Sequence, residues 1–202
     1  MFGLTLSLAA IVILDFFTNP LAASLAALAI IFYVGVYSLL LKRRTTQNIV
    51  WGGIAGCFPV VIGWSAVTGS LAIEALLLFL VVFFWTPPHY WPLSIKFRDE
   101  YANANIPMLP VIATDVVVTR QIILYSWLMT IAAMSLALFT GKVYFSIALI
   151  ANAWFLFEAY KLHSAVKGGL PAERSAMKLF HGSITYLSLI FLAVGADALI
   201  RW

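Results

Sequence analysis

The stretch SLAIEALLLFLVVFFWTPPHYWPLSIKFRDEYANANIPMLP, residues 70 to 110, decides how this chain folds. Residues 70 to 91 carry one acid, Glu74, over a length that crosses the hydrocarbon core of a bilayer, which takes about 20 mostly apolar residues. Pro87, Pro88 and Pro92 lack the backbone N–H that a helix interior needs, so a break is expected there, with His89 within reach of a cavity. An ionisable group inside a membrane span points to function by default. An interfacial histidine in an aromatic belt with Trp85, Tyr90 and Trp91 accounts for the same residues equally well. The loop that follows holds Lys96, Arg98, Asp99 and Glu100. The two acids suit Mg²⁺ and the two cations suit phosphate oxygens, although a solvated mixed-charge loop is the simpler reading of pattern alone. Neighbouring residues on a helix point about 100° apart, so both carboxylates grip one ion only from an irregular turn.

Working outward, the whole chain shares this character. Of 202 residues, 63% are hydrophobic and 10% charged, and the mean hydropathy is +1.01. Soluble domains carry about 25% charged residues, so lipid is the expected solvent and no soluble domain of useful size fits. Cys57 is the sole cysteine, which excludes disulfide frameworks and cysteine-rich metal sites and leaves it as a small packing residue. The net charge of +4 records orientation in a membrane chain rather than a nucleic-acid partner, and none is expected. Met1 leads directly into an apolar run without a basic leader or a small-residue cleavage site, so no signal peptide is expected.

Uncharged stretches predict seven spans, at 1–17, 21–41, 49–68, 70–91, 117–139, 143–160 and 179–200, forming one all-α integral membrane bundle. Sorting Lys and Arg by alternate loops puts ten on one side, against Lys142 and Arg201 on the other. By the positive-inside bias, the ten face the cytoplasm, the N-terminus lies inside and the C-terminus outside. His89, His163, His181, Asp99, Glu100, Asp115 and Glu173 fall at the same cytoplasmic ends. Lys42, Arg43 and Arg44 form a second basic cluster, by itself more simply an orientation signal than a binding site, with Gln47 and Asn48 supplying amides just beyond it. A pocket framed by these two loops suits an anionic, lipid-like substrate whose tail lies in the bilayer. Gly52 and Gly56 have the small-xxx-small spacing of close helix packing, and Gly168, Gly169 and Pro171 end a helix in an inside loop.

Two segments, YVGVYSLLLKRRTTQNIVWGGIAGCFPVVIGWSAVTG at 33 to 69 and WTPPHYWPLSIKFRDEYANANIPMLPV at 85 to 111, resemble the heme O synthases. These are protoheme IX farnesyltransferases among the UbiA-type intramembrane prenyltransferases. The resemblance implies a helical bundle around a central cavity, part of a nine-helix fold. It also implies transfer of farnesyl from farnesyl diphosphate to a vinyl group of heme b, with addition of water and release of diphosphate. On that resemblance Asp99 and Glu100 are the catalytic acids that hold Mg²⁺, and Lys42, Arg43, Lys96 and Arg98 bind diphosphate. His89 matches the histidine of the TPPH motif and is assigned to heme, as iron ligand or polar contact. Heme A synthase or a terminal oxidase assembly are the protein partners it implies, and a bacterial inner membrane the location. His89, Asp99 and Lys42 are expected to meet in one pocket.

Two departures stand against the family pattern. Glu100 occupies a position where aspartate is expected, which adds one methylene to its reach. The first acidic motif, NxxxDxxxD, is absent, and Asp15 is followed at the right spacing by Asn19. The chain is therefore expected to be the last seven of nine helices, a fragment or shortened homologue with half the metal site missing. Its activity alone is in question. The rivals are a prenyltransferase with an aromatic quinone-precursor acceptor and a non-catalytic heme-binding membrane protein. A transporter is disfavoured because the ionisable residues sit at span ends.

Overall fold

In the computed structural model, which describes residues 1–201, every regular element is helical. In chain order they are α1 (Phe2–Phe17), α2 (Pro20–Ile31, continuing as a π-helix over Phe32–Leu41), α3 (Asn48–Thr68), α4 (Ile73–Lys96), α5 (Arg98–Asn103), α6 (Leu109–Ile112), α7 (Asp115–Leu136), α8 (Lys142–Lys167) and α9 (Ala172–Arg201). Six of the described helices are long and apolar enough to cross a membrane; α1, at 16 residues, is shorter. α4 is the hub, because it packs against α3, α7 and α9. The main core joins α4, α7, α8 and α9 around Trp91, Tyr144, Phe155 and Tyr186, and a smaller cluster joins α2, α3 and α4 around Phe58, Val61 and Ala75. α1 rests on α2 and buries none of its own residues. Such apolar exposure is natural for a surface solvated by lipid.

The break expected at His89 does not occur. α4 continues through Pro87, Pro88 and Pro92 to Lys96. Proline's fixed φ is helical, so what it removes is the bond to the carbonyl four residues back. The bonds lost are those to the Phe83, Phe84 and Pro88 carbonyls, and all three prolines are buried, so packing holds the helix where those bonds are missing. α8 and α9 likewise overrun the spans expected at 143–160 and 179–200. Charged residues such as Lys161, Lys167, Arg174 and Lys178 end an apolar window but are compatible with helix. Between them, Gly169 takes the left-handed conformation (φ 73°) that closes the turn, as the Gly-Gly pair suggested.

The glycines of α3 divide differently from the small-xxx-small expectation. A Cβ on Gly53 would stand 2.9 Å from Thr86 Oγ1, so Gly53 sets the α3–α4 approach, and one on Gly52 would meet the Tyr37 ring at 2.6 Å. A Cβ on Gly56 would meet nothing within 4 Å. Cys57 is fully buried, its thiol donating to the Gly53 carbonyl.

At the opposite end of the bundle, Asp197 of α9 caps α8. Its carboxylate accepts from the backbone N–H groups of Gly141 (2.6 Å) and Tyr144 (3.2 Å). Both are first-turn donors that the helix cannot satisfy by itself, and a carboxylate also favours the positive end of the helix dipole. Asp197→Ala is expected to cost roughly 2 kcal/mol, the upper range for a lost cap, read as a lower thermal unfolding midpoint in detergent. Asp197→Asn should recover part of it, since an amide oxygen still accepts.

Candidate functional site

The α2 π-helix, α3, α4 and α5 surround a cavity of about 750 Å³, within the range that houses a single organic ligand. Its character is graded. Toward the ends of α2 and α3 it is lined by Lys42, Asn48 and Tyr101; deeper in, by Ile30, Gly52, Gly53, Ala55, Gly56 and Val82. Lys42 is the one cation among the described lining residues. Asn48 is 1% exposed; its Nδ2 donates to the Lys42 carbonyl (3.3 Å), while its Oδ1 has no protein partner. The wider i→i+5 turn of the π-helix, seen where Lys42 N–H bonds Tyr37 O at 2.9 Å, stacks residues four apart. Tyr33 and Tyr37 consequently lie with ring centroids 5.6 Å apart, both facing the cavity, and Tyr90 and Tyr101 join them.

His89 lies elsewhere. It lines a second, more open hollow of about 460 Å³ between α4 and α9, with Phe180, Ile184, Leu187, Ser188 and Phe191. Trp85 borders both hollows, so the single pocket expected for His89 and Lys42 is two hollows on neighbouring faces of α4. Residues 82, 86 and 90 share one helical face and residues 85 and 89 the next. The imidazole is sandwiched between Trp85 (centroids 4.2 Å) and Phe180 (4.7 Å). Its Nδ1 is 2.7 Å from Ser183 Oγ, and that hydroxyl donates its proton to the Phe180 carbonyl at 2.6 Å. Ser183 Oγ must therefore accept from Nδ1–H. This tautomer leaves Nε2 with a lone pair, the arrangement a metal-ligating histidine uses when its other nitrogen is held by a neighbour. Ser183 also accepts the Trp85 indole N–H through its carbonyl, at 2.8 Å.

The remaining candidates do not line either hollow. Asp99 and Glu100 are exposed on α5, next to the cavity-lining Tyr101. Arg98 pairs with Asp115, tying α5 to the start of α7. Lys96 extends over the Phe97 ring, 5.5 Å from its centroid, and Arg43 is exposed. Among the described residues, no group of three or more His, Cys, Asp or Glu side chains is placed to hold a metal. α5 is a regular helix, not the irregular turn that would let adjacent Asp99 and Glu100 grip one ion together. A single one of these carboxylates still fits Mg²⁺ arriving with its substrate, because that ion keeps most of its waters and takes one or two carboxylates alongside phosphate oxygens.

Sequence reasoning missed the tyrosines of the cavity, taking Tyr90 for part of an interfacial belt. The i, i+4 pair of Tyr33 and Tyr37, just before the basic cluster, was the available signal. Asn48 was noted only for its amide donors; its unpartnered acceptor emerges from the fold.

Comparison with known proteins gives a consistent picture. The profile of the UbiA prenyltransferase family matches residues 1–184. The protoheme IX farnesyltransferase of Mycolicibacterium gilvum is 51% identical over 197 residues, covering 98% of this chain and 62% of its own. The protein of that name from Streptomyces coelicolor is 50% identical over 203 residues, 99% of this chain and 64% of its own. One from Leifsonia xyli is 50% identical over 201 residues, 98% and 65% respectively. The chain thus spans less than two thirds of the length of these relatives. No solved structure matches it.

Proposed function

Because the chain belongs to the UbiA prenyltransferase family, we propose that it carries out farnesyl transfer to heme b, giving heme O and diphosphate. The observation that carries this reading is the graded cavity, with a cation and amide at one end and a glycine-lined apolar interior at the other. An isoprenoid diphosphate has the same polarity along its length. Lys42 holds the diphosphate and stabilises the negative charge it gains as the C1–O bond breaks. Asp99 or Glu100, each on α5, would hold Mg²⁺, which when bound neutralises diphosphate charge. Arg98, its guanidinium paired with Asp115, ties to α7 the helix α5 that carries these acids and the cavity-lining Tyr101, while Arg43 and Lys96 add positive potential.

The allylic cation left on farnesyl needs electron-rich, non-nucleophilic surroundings. The Tyr33, Tyr37 and Tyr90 rings and Trp85 line the cavity and supply π faces for it. The terminal vinyl carbon of heme forms the new bond to C1, and the inner vinyl carbon then takes water and releases a proton. Asn48 Oδ1, a buried acceptor, suits that water. Heme sits against His89 in the second hollow, with its vinyl edge directed past Trp85, the wall the two hollows share. The protein spans the membrane several times; its seat is the inner membrane of a bacterium, with the Lys42 end cytoplasmic, where heme A synthase or a terminal oxidase assembly would accept the product.

The test is conversion of heme b to heme O by the protein reconstituted with farnesyl diphosphate and Mg²⁺, followed by mass. Asp99→Asn with Glu100→Gln should reduce it by about 100-fold, in line with loss of electrostatic stabilisation. Heme binding without any turnover would favour a non-catalytic heme protein instead. A quinone-precursor acceptor would show as prenylation of a 4-hydroxybenzoate-type phenol with heme untouched.

Heme titration checks the histidine separately. His89→Ala should remove the histidine-ligated Soret signature, and Ser183→Ala should weaken heme binding by about 10- to 100-fold by releasing the tautomer lock. An unchanged spectrum in His89→Ala would remove it from the heme site.

A further inference from the structure

A third hollow, of about 510 Å³, opens between the end of α8 and the start of α9 and belongs to neither space described above. It is lined by Lys161, Arg174, Lys178 and Ser175, with Glu158 and Leu162 behind them. Three cations against one carboxylate leave a surplus of two positive charges. Glu158, 8% exposed, is satisfied by Lys178 at 2.7 Å, which fixes that ammonium at the rim. Lys161 and Arg174 have no ion-pair partner among the described residues. The Ser175 hydroxyl adds a donor to the same wall. Uncompensated cations of this kind, gathered in a concavity rather than spread over a surface, are arranged for an anion with several acceptor oxygens.

The depth of the hollow identifies the anion. On α8, the Tyr160 hydroxyl accepts from the Trp127 indole N–H of α7 at 3.1 Å, and both rings are about half exposed. Trp127 is halfway along α7, but Tyr160, apolar in body and polar at the tip, ends the apolar stretch 143–160, the place where such side chains meet the headgroup boundary. Tyr160 immediately precedes Lys161, so the cations lie at headgroup level. Phe157, 63% exposed, is one turn deeper on the same face of α8 as Lys161, where an acyl chain would run. The hollow is at the same end of the bundle as Lys42: His163 of α8 bonds Thr119 near the start of α7 at 2.8 Å, and α7 begins at Asp115, the partner of Arg98.

We propose that this hollow binds the phosphate of an anionic phospholipid, with Lys161, Arg174 and Lys178 around the headgroup and an acyl chain along Phe157. The site is separate from the farnesyl transfer reading and stands without it. Basic pockets between membrane helices recognise anionic lipid in this way, each Lys or Arg strengthening the attraction near the surface.

Binding of fluorescent phosphatidylglycerol to the purified full chain in detergent tests it. The protein should bind phosphatidylglycerol in preference to phosphatidylcholine and lose it as salt is raised. Inorganic phosphate at equal concentration should not displace it, since it lacks the acyl contact. Lys161→Gln with Arg174→Gln should weaken binding by about 10- to 30-fold, whereas Lys142→Gln at the opposite end should leave it unchanged. Equal binding of phosphatidylcholine, unchanged affinity in the folded double variant, or equal loss in Lys142→Gln would overturn the site. Displacement by inorganic phosphate would overturn the lipid and leave a soluble phosphate. If the double variant does not fold, the wild-type preference for phosphatidylglycerol over phosphatidylcholine decides the question.

Discussion

Lys42→Gln is expected to lower farnesyl transfer by about 100- to 1,000-fold, the range for removing one preorganised charge from the place where a transition state gains negative charge. It is the single cation among the described residues lining the main cavity, and Asn48, buried beside it, donates to its carbonyl and holds the turn. Diphosphate carries more charge on the α-phosphate oxygen released from C1 as the C1–O bond breaks than it does in the bound substrate. The loss should therefore appear in kcat as well as in KM, measured as heme O formed across a range of farnesyl diphosphate concentrations. Lys42→Arg should retain part of the rate. Arg43→Gln and Lys96→Gln line no hollow and should change it by only about threefold, the scale of a screened surface charge. Equal losses in all three variants would mean that diphosphate binds outside this cavity.

The second large effect is expected from a residue with no chemistry of its own. Gly56→Phe should abolish turnover of farnesyl diphosphate, by more than about 100-fold, while leaving the protein folded. A Cβ at this position meets nothing within 4 Å, so the new ring enters the cavity instead of another helix. Replacing glycine inside a helix also removes a propensity penalty of about 1 kcal/mol relative to Ala, so Gly56→Ala should be active and no less stable. A shorter donor gives the discriminating result. If the ring takes the space of the isoprenoid tail, Gly56→Phe should turn over geranyl diphosphate better than farnesyl diphosphate, reversing the native order. Gly53→Ala, three residues earlier, makes the contrast. Its methyl is directed at Thr86 at 2.9 Å, and the expected result is a stability loss of about 1–3 kcal/mol from overpacking, with no change in chain-length preference. A Gly56→Phe protein that still prefers farnesyl would place the tail elsewhere.

These contrasts show where sequence reading reached its limit. The two signature segments supply much of the lining of the main cavity: Lys42, Asn48, Gly52 and Gly53 come from the first, and Trp85, Thr86, Tyr90 and Tyr101 from the second. Their division between two hollows was not legible, because His89 and Tyr90 are adjacent in the chain yet point to neighbouring faces of α4. The prolines misled for a related reason. A missing N–H is a local fact, but whether it breaks a helix depends on the packing that holds the backbone in place, here that of an α4 flanked by α3, α7 and α9 with Pro87, Pro88 and Pro92 buried. Asp197 was invisible as a cap because the donors it satisfies lie more than 50 residues earlier.

Hydropathy, charge count and helix length, all summed along the chain, are sufficient to place this protein in lipid as a set of helices with its polar residues gathered at their ends. Lipid excludes any spanning backbone that does not satisfy its own hydrogen bonds, so that much follows from composition. The rotation of each helix about its axis is another matter. It is set by side chains meeting across the bundle, Gly53 against Thr86 and Ser183 against His89 and Trp85, and those contacts alone decide which residue faces a cavity, a groove or the bilayer.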